Sequence, residues 1–342
     1  MRRYIVIAGL LILTLFCAGC AGVTATRSVT QTRLAKATAP ATSRRATLGR
    51  ATPRRVTLRK KAAARLAPAA NSLTASAQQA LAAAVAPLAR GDDSQVAVAV
   101  DDLTTGADAA YAGTQEFVTA SIVKVDILSA LLYQAQQSGQ PLTSQTQALA
   151  TAMIENSNNG AASDLYDEAD GASGIDEANH VLGLTQTTVG TDGFWGLTTT
   201  TADDQIRLLR LVFTRPSVLT AQSQDYIQNL MSQVEADQQW GVPAAADGGT
   251  QFMVKNGWLP SGTTGLWEIN SIGEVTHDRQ RMLIAVLSEG NATEDSGISL
   301  VQTVAETAAN AMVGQGLAPG LAQGRPGVDA AATTVPALRN GA

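Results

Sequence analysis

Ser121 and Lys124 stand three positions apart in Ala120-Ser121-Ile122-Val123-Lys124. On a helix that spacing puts both side chains on one face. A serine hydroxyl is a weak nucleophile until a neighbouring base takes its proton, and a lysine becomes such a base when burial removes its charge. Lys124 lies between Val123 and Val125 in a segment rich in Leu and Ile, so the sequence predicts that it is buried. Lysine is also scarce. Between Asn71 and Ala342 the chain has two, Lys124 and Lys255, and arginine supplies every other fixed positive charge there. Guanidinium stays protonated at any ordinary pH, which marks these two lysines as retained for proton chemistry.

Lys255 opens Lys255-Asn256-Gly257 after an apolar run that reads as a strand. The triplet is predicted to end that strand, where a glycine lets a ligand backbone come close. A second cation beside Lys124 would lower its pKa further. Between the two lysines stands Ser157-Asn158-Asn159, after a helical Met153-Ile154-Glu155-Asn156, and it reads as a tight corner. Lys124 could take the proton of Ser121, Ser157 would relay it to a leaving nitrogen, and Asn159 would hold a substrate amide while restraining Lys124. A serine at a helix start also has free N–H groups and the positive dipole end beside it, which suits an oxyanion. His180 falls on a mixed helix face and His277, in Thr276-His277-Asp278, falls in a hairpin turn, so neither is placed for catalysis. Cys17 and Cys20 are the only cysteines, which excludes an internal disulfide or thiolate metal site in the body. No metal or cofactor is expected. Neither a phosphate-binding glycine loop nor a basic-aromatic pattern occurs, so nucleic-acid binding is not expected.

The elements that must position these groups alternate strand, helix, strand. A helix is predicted over Ser72–Leu88, then strands at Gln95–Val100 and Ala109–Tyr111 around a turn at Asp101–Gly106. A strongly apolar helix follows over Ser121–Gln137. Shorter helices are predicted at Gln145–Ile154, Gly160–Asp167, Asp176–Leu182, Ala202–Phe213 and Ala221–Glu235. Strands return at Gln251–Val254, Leu266–Ile272 and Arg281–Leu287 before a last helix, Ile298–Met312. This order implies an α+β fold whose sheet closes by pairing its first and last strands.

Charge divides the chain. Residues 21–70 hold twelve basic residues and no acid, whereas everything after residue 70 has ten basic residues against all 29 acidic ones. A basic arm thus precedes an acidic body. The arm, rich in Ala, Thr and Arg, cannot bury enough apolar surface to order itself and reads as a disordered tether suited to anionic lipid or envelope polymer. The tail, 316–342, is Gly, Pro and Ala rich and reads the same way. Met1-Arg2-Arg3-Tyr4 and the apolar run Ile5–Phe16 read as an export signal. It ends in Cys17-Ala18-Gly19-Cys20, which resembles a bacterial lipobox with Cys17 in the usual Leu position. Lipidation at Cys20 would anchor the protein to the outer face of the cytoplasmic membrane, and cleavage without lipidation would leave it secreted. The body spans 71–315.

Taken in order, Ser121-x-x-Lys124, Ser157-Asn158-Asn159 and Lys255-Asn256-Gly257 resemble the three motifs of class A β-lactamases and penicillin-binding proteins. Met153-Ile154, Thr198-Thr199-Thr200-Thr201-Ala202 and Leu283-Ile284-Ala285-Val286 extend the likeness over roughly residues 75 to 315. The resemblance implies an antiparallel sheet flanked by terminal helices plus an all-helical subdomain, in a monomer that binds a β-lactam or a peptidoglycan peptide. It implies Ser121 as the acylated nucleophile and Lys124 as general base. Ser157 and Lys255 would relay protons and anchor a carboxylate, and Asn159 would bind the substrate side-chain amide. Asn256 and Gly257 would face the ligand. The backbone N–H groups of Ser121 and Trp258 would form an oxyanion hole, worth about 3–4 kcal/mol per donor. Three departures stand out. Asn158 replaces Asp, Asn256 replaces the Thr or Ser that meets the ligand carboxylate, and the stretch Thr191-Asp192-Gly193-Phe194-Trp195-Gly196 lacks the family's Glu-x-x-x-Asn. Asp192 is the one acid there for a deacylation base. Slow deacylation is therefore expected. The alternatives are a penicillin- or cell-wall-binding lipoprotein without turnover, and a pseudoenzyme whose tether docks an envelope partner.

Overall fold

The computed structural model describes residues 74–90 and 94–316. The export signal, Cys20, the basic arm and the tail from Leu317 lie outside them.

Strand β1 (Gln95–Asp102) alternates valine and alanine, and the alternation sorts them. Val96, Val98 and Val100 enter one apolar cluster, Ala97 and Ala99 the other. Strand β7 (Gln280–Asn291) does the same with Met282, Ile284 and Val286 against Leu283, Ala285 and Leu287. A strand that buries both faces must be internal, and these two pair antiparallel in register Val98↔Val286. With β2 (Ala107–Tyr111), β5 (Met253–Pro260) and β6 (Trp267–His277) they form a five-stranded antiparallel sheet, order β2-β1-β7-β6-β5. The first and last strands meet inside it, as expected, and β5 is an edge.

Helix α1 (residues 74–85) and helix α8 (Glu294–Gly316) cover one face, through Ala77, Leu81 and Val85 and through Val301, Val304, Ala308 and Met312. On the other face the apolar cluster takes in α2 (Val123–Ser138), α3 (Ser144–Glu155), α4 (Asn159–Glu168), α5 (Gly171–Leu182), α6 (Ala202–Phe213) and α7 (Ala221–Met231), with α6 packed on β1, β6 and β7 and the others largely on one another. The side chains of Thr143, Asn158, Thr201 and Thr220 each accept from the backbone N–H three residues on, which explains where α3, α4, α6 and α7 begin. Every residue of α2 from Val123 to Leu132 is buried. A helix enclosed on all sides carries its polar side chains into the core with it, here Lys124, Asp126 and Ser129.

Three expectations need correction. The strand expected at Gln251–Val254 begins at Met253 and runs to Pro260, so Lys255-Asn256-Gly257 lies inside it rather than at its end. The apolar run stops at Val254, but the ladder with β6 continues from Lys255↔Ile272 to Pro260↔Trp267. The helix expected from Ser121 starts at Val123, and Ala120–Ile122 is a separate 3-10 turn. Two short strands were not expected, β3 (Glu116–Val118) and β4 (Thr199–Thr201), which pair antiparallel. Three residues are too few to display alternation.

Candidate active site

Ser121 sits in the 3-10 turn that feeds α2, and Ala120 before it has a φ of 47°. A left-handed alanine is strained and persists only when its surroundings impose it. Those surroundings are visible. Asn270 of β6 donates through Nδ2 to the carbonyls of Val118 and Thr119, at 2.9 and 3.0 Å. Thr119 N donates to Thr198 O, joining the turn to the residue that leads into β4. Gly257 of β5 packs so closely that a Cβ there would stand 2.8 Å from Ser121 N and 2.7 Å from Thr119 O. Only glycine allows the edge strand to lie against the nucleophile's turn.

Lys124 is fully buried, and its Nζ reaches four oxygens: Ser121 Oγ at 2.9 Å, Ser157 O at 2.7 Å, Ser157 Oγ at 3.0 Å and Asn159 Oδ1 at 2.8 Å. Two of these are carbonyl oxygens that can only accept, and two are hydroxyls. A neutral amine can donate to both carbonyls and receive one hydroxyl proton on its lone pair, which accounts for three of the four contacts. Desolvation brings the Lys124 pKa from 10.5 to about 7. The face of Trp195, 5.0 Å from Nζ, favours the cation but also helps exclude water. Lys255, also fully buried, donates to Ser157 Oγ at 3.0 Å and to Asn256 O at 3.0 Å. Burial holds its pKa well below the usual lysine value, with the charge of Lys124 as the second cause. The repulsion expected to act on Lys124 is thus felt at Lys255.

Ser157 bridges the two amines. It joins α3 to α4 with a φ of 52°, a second left-handed non-glycine residue at the cluster. Asn158 caps α4 by accepting from Ala161 N at 2.8 Å, a role that Asn and Asp fill equally well, so this departure from the motif is structural in character.

The structure brings Ser121, Lys124, Ser157, Asn159 and Lys255 together and places Gly257 against them. It does not bring Asp192. That residue is exposed at a φ of 55°, its carboxylate accepts from Thr191 Oγ1, and it makes no hydrogen bond or ion pair with the cluster. Asn256 is also turned to another use, because its Nδ2 donates to Gln238 O at 2.7 Å and Trp240 O at 2.9 Å. Trp258 packs edge-on to Trp240, ring centroids 5.9 Å apart. His180 is exposed on α5, and His277 bonds Ala245 O and Asn310 Oδ1, away from the cluster. No group of three or more His, Cys, Asp or Glu able to hold a metal occurs among the described residues. No helix among them is long and apolar enough to cross a membrane.

Sequence reasoning missed Trp195 and Asn270. Trp195 is buried, donates from Nε1 to Ser163 Oγ at 3.1 Å and covers Lys124. A lone tryptophan between Phe194 and Gly196 was a signal that could have been weighed. Asn270 could have been found as an amide inside an apolar strand.

Residues 78–147 and 136–312 match the family model described as the β-lactamase enzyme family. Among solved structures, a class A β-lactamase from Bacteroides cellulosilyticus DSM 14838 aligns with a TM-score of 0.61 at 17% identity, covering 69% of this chain and 98% of that one. A mutant of PBP-A, in its acyl-enzyme complex with penicillin G, aligns at 0.60 and 20% identity over 69% and 97%. The TLA-1 extended-spectrum β-lactamase aligns at 0.62 and 15% over 69% and 99%. No curated protein matches the chain in sequence. Identities this low speak for the fold alone.

Proposed function

The chain belongs to the β-lactamase enzyme family and has the class A β-lactamase fold, and from that premise we propose that it is an exported serine hydrolase acylated at Ser121 by β-lactams or by peptidoglycan peptides that resemble them. The observation that carries this reading is the set of four oxygens around Lys124 Nζ, with Ser121 Oγ among them at 2.9 Å. Neutral Lys124 takes the Ser121 proton as Oγ bonds to the lactam carbonyl carbon. The ring C–N bond then breaks, and the nitrogen receives a proton by way of Ser157, which lies between the two amines. Asn159 restrains Lys124 and has its amide nitrogen left for the ligand's side-chain carbonyl. Backbone N–H groups of Ser121 and Trp258 serve the oxyanion.

Release is the slower half. Hydrolysis of the acyl-enzyme needs a base beside a water at the acyl carbonyl, and such a base contributes typically about 10²–10⁴-fold. The loop that could supply it holds Trp195 against Lys124 and leaves Asp192 in solvent. This favours the second reading within the same fold, a penicillin-binding protein whose adduct persists. An intact four-oxygen cluster speaks against a pseudoenzyme. The test is intact mass over time after mixing with a penicillin. Wild type should gain one equivalent within the burst and lose it slowly, and Ser121→Ala should gain none. Equal labelling of the two proteins would sink the proposal. The anchoring reading of Cys20 has its own test: Cys20→Ser should shift protein from membranes to the medium or leave unprocessed precursor, and unchanged fractionation and migration would refute it.

A further inference from the structure

Two left-handed residues other than glycine stand in the cluster, Ala120 with a φ of 47° and Ser157 with a φ of 52°. Each follows a carbonyl gripped by a side-chain amide. Asn270 Nδ2 donates to Thr119 O at 3.0 Å, one residue before Ala120. Gln238 Nε2 donates to Asn156 O at 3.4 Å, one residue before Ser157. Its other partner, Glu235 Oε2, is also an acceptor, which settles the orientation of the amide. The peptide unit is planar and φ turns about the N–Cα bond beside it, so a hold on the preceding carbonyl restrains φ directly. At Ser157 the following carbonyl is held as well, by Lys124 Nζ at 2.7 Å. With both flanking peptide planes fixed, the direction of the Ser157 side chain is fixed too.

Gln238 is itself anchored. It is buried, in a segment bound to the Ser157 corner: Glu235 N donates to Glu155 O at 3.0 Å, and Glu235 Oε1 accepts from Asn156 Nδ2. Its own carbonyl accepts from Asn256 Nδ2 at 2.7 Å, which gives the inward turn of Asn256 a use. Gln238 therefore joins the residue before Ser157 to the residue after Lys255, and Ser157 Oγ and Lys255 Nζ lie 3.0 Å apart.

We propose that Gln238 is a positioning residue for the proton relay, holding Ser157 in the left-handed conformation that puts its Oγ between Lys124 and Lys255. The proposal rests on acylation at Ser121. As the ring C–N bond of a lactam breaks, the nitrogen takes the electron pair and needs a proton, which arrives by way of Ser157. A nitrophenyl ester can acylate the same serine, but its phenolate leaves as a stable anion and needs no proton. Loss of the Gln238 amide should slow the lactam more than the ester, whereas a general loosening of the site slows both alike.

The test compares penicillin G with p-nitrophenyl acetate. Second-order acylation rates are read by intact mass, with Ser121→Ala as the blank. Gln238→Met removes the donor, keeps the length of the side chain and leaves the backbone bond to Asn256. Its penicillin-to-ester rate ratio should fall by about tenfold or more, part of the roughly 10²–10⁴-fold that a positioned proton donor contributes. In a Ser157→Ala background the same change should lower the ratio no further, because the relay is already gone. An unchanged ratio overturns the proposal, whether both rates fall together or neither falls, and so does an additive loss in the Ser157→Ala background. If Gln238→Met does not fold, Gln238→Asn, which draws the donor back by one methylene, takes its place in the same comparison. A wild type that penicillin does not label overturns the acylation reading instead.

Discussion

The corner at Ser157 and the loop at 191–197 both reach Lys124, and they are built by opposite rules. The corner is polar and over-determined. It holds a left-handed serine, a capped helix start and three of the amine's four oxygen contacts. The loop offers an indole face, while its carboxylate, Asp192, and the large side chains of Phe194 and Leu197 are exposed. One side can move a proton, and the other can only exclude water. Acylation and release are therefore separable properties of this site, written in different segments.

The comparison breaks most easily at the amine. Lys124→Arg should lower the acylation rate about as far as Lys124→Ala, roughly 10²–10⁴-fold, because guanidinium cannot act as a base. The wild-type rate should rise with pH up to about 7 and then level, since deprotonated lysine is the competent form. An arginine variant of wild-type speed would show that charge alone suffices. Gly257→Ala comes next. Its Cβ would meet the backbone at 2.7–2.9 Å, forcing β5 off the Ser121 turn, and acylation should fall about 10²-fold through loss of oxyanion geometry. A rate within a few-fold of wild type would mean that β5 does not complete the site.

Asp126, two residues past Lys124, sharpens the role of burial. The enclosure that neutralises the lysine raises Asp126 to about 7, while Asn179 Nδ2 donates to its Oδ2. Between pH 4 and 7 the unfolded chain ionises this carboxyl and the folded one does not, so stability falls as pH rises through that window. Asp126→Asn removes the fall. It should gain on wild type by roughly 2–4 kcal/mol by pH 7 and by nothing near pH 4. Denaturant melts at both pH values check this, and a gain independent of pH would contradict it. On the loop side, Trp195→Ala should admit water, moving the acylation pKa upward and speeding release by less than about tenfold, since no base arrives with the water. An unmoved pH profile would show that the indole does not set the lysine's environment. Asp192→Asn should be the smallest effect, with release within about twofold of wild type, because nothing joins that carboxylate to the cluster. Collapse of turnover would instead identify it as the base.

What could be read in advance was whatever is local. The three-residue spacing of Ser121 and Lys124, the scarcity of lysine and the two-residue alternation of β1 and β7 are written within single elements. The rest depends on partners far along the chain. Lys255-Asn256-Gly257 looked like a strand end because apolarity stops at Val254, but β6 continues the ladder. Asn256 looked like an amide with hydrogens free to donate because Gln238 and Trp240 could not be seen to claim them. Trp195 looked like part of a surface turn. Its aim comes from a loop so tight that a Cβ on Gly190 would stand 2.1 Å from Phe194 O, with Thr198 Oγ1 accepting from Gly190 N and donating to Trp195 O.

Asn270 ties the nucleophile to the order in which the chain is made. The carbonyls it grips belong to Val118 and Thr119, but Asn270 lies on β6, beyond all the helices from α2 to α7. β1 likewise waits for β7, so nearly the whole body must be present before the first strand finds its place in the sheet. Contacts this distant in sequence form late, because the intervening loop must close before they can repay its entropy. A chain that ends before β6 has Ser121 and Lys124 but lacks the Asn270 amide that grips the carbonyls leading into the left-handed Ala120. Covalent labelling of Ser121 would then serve as a clock for folding, since the serine becomes reactive only when the last strands have docked.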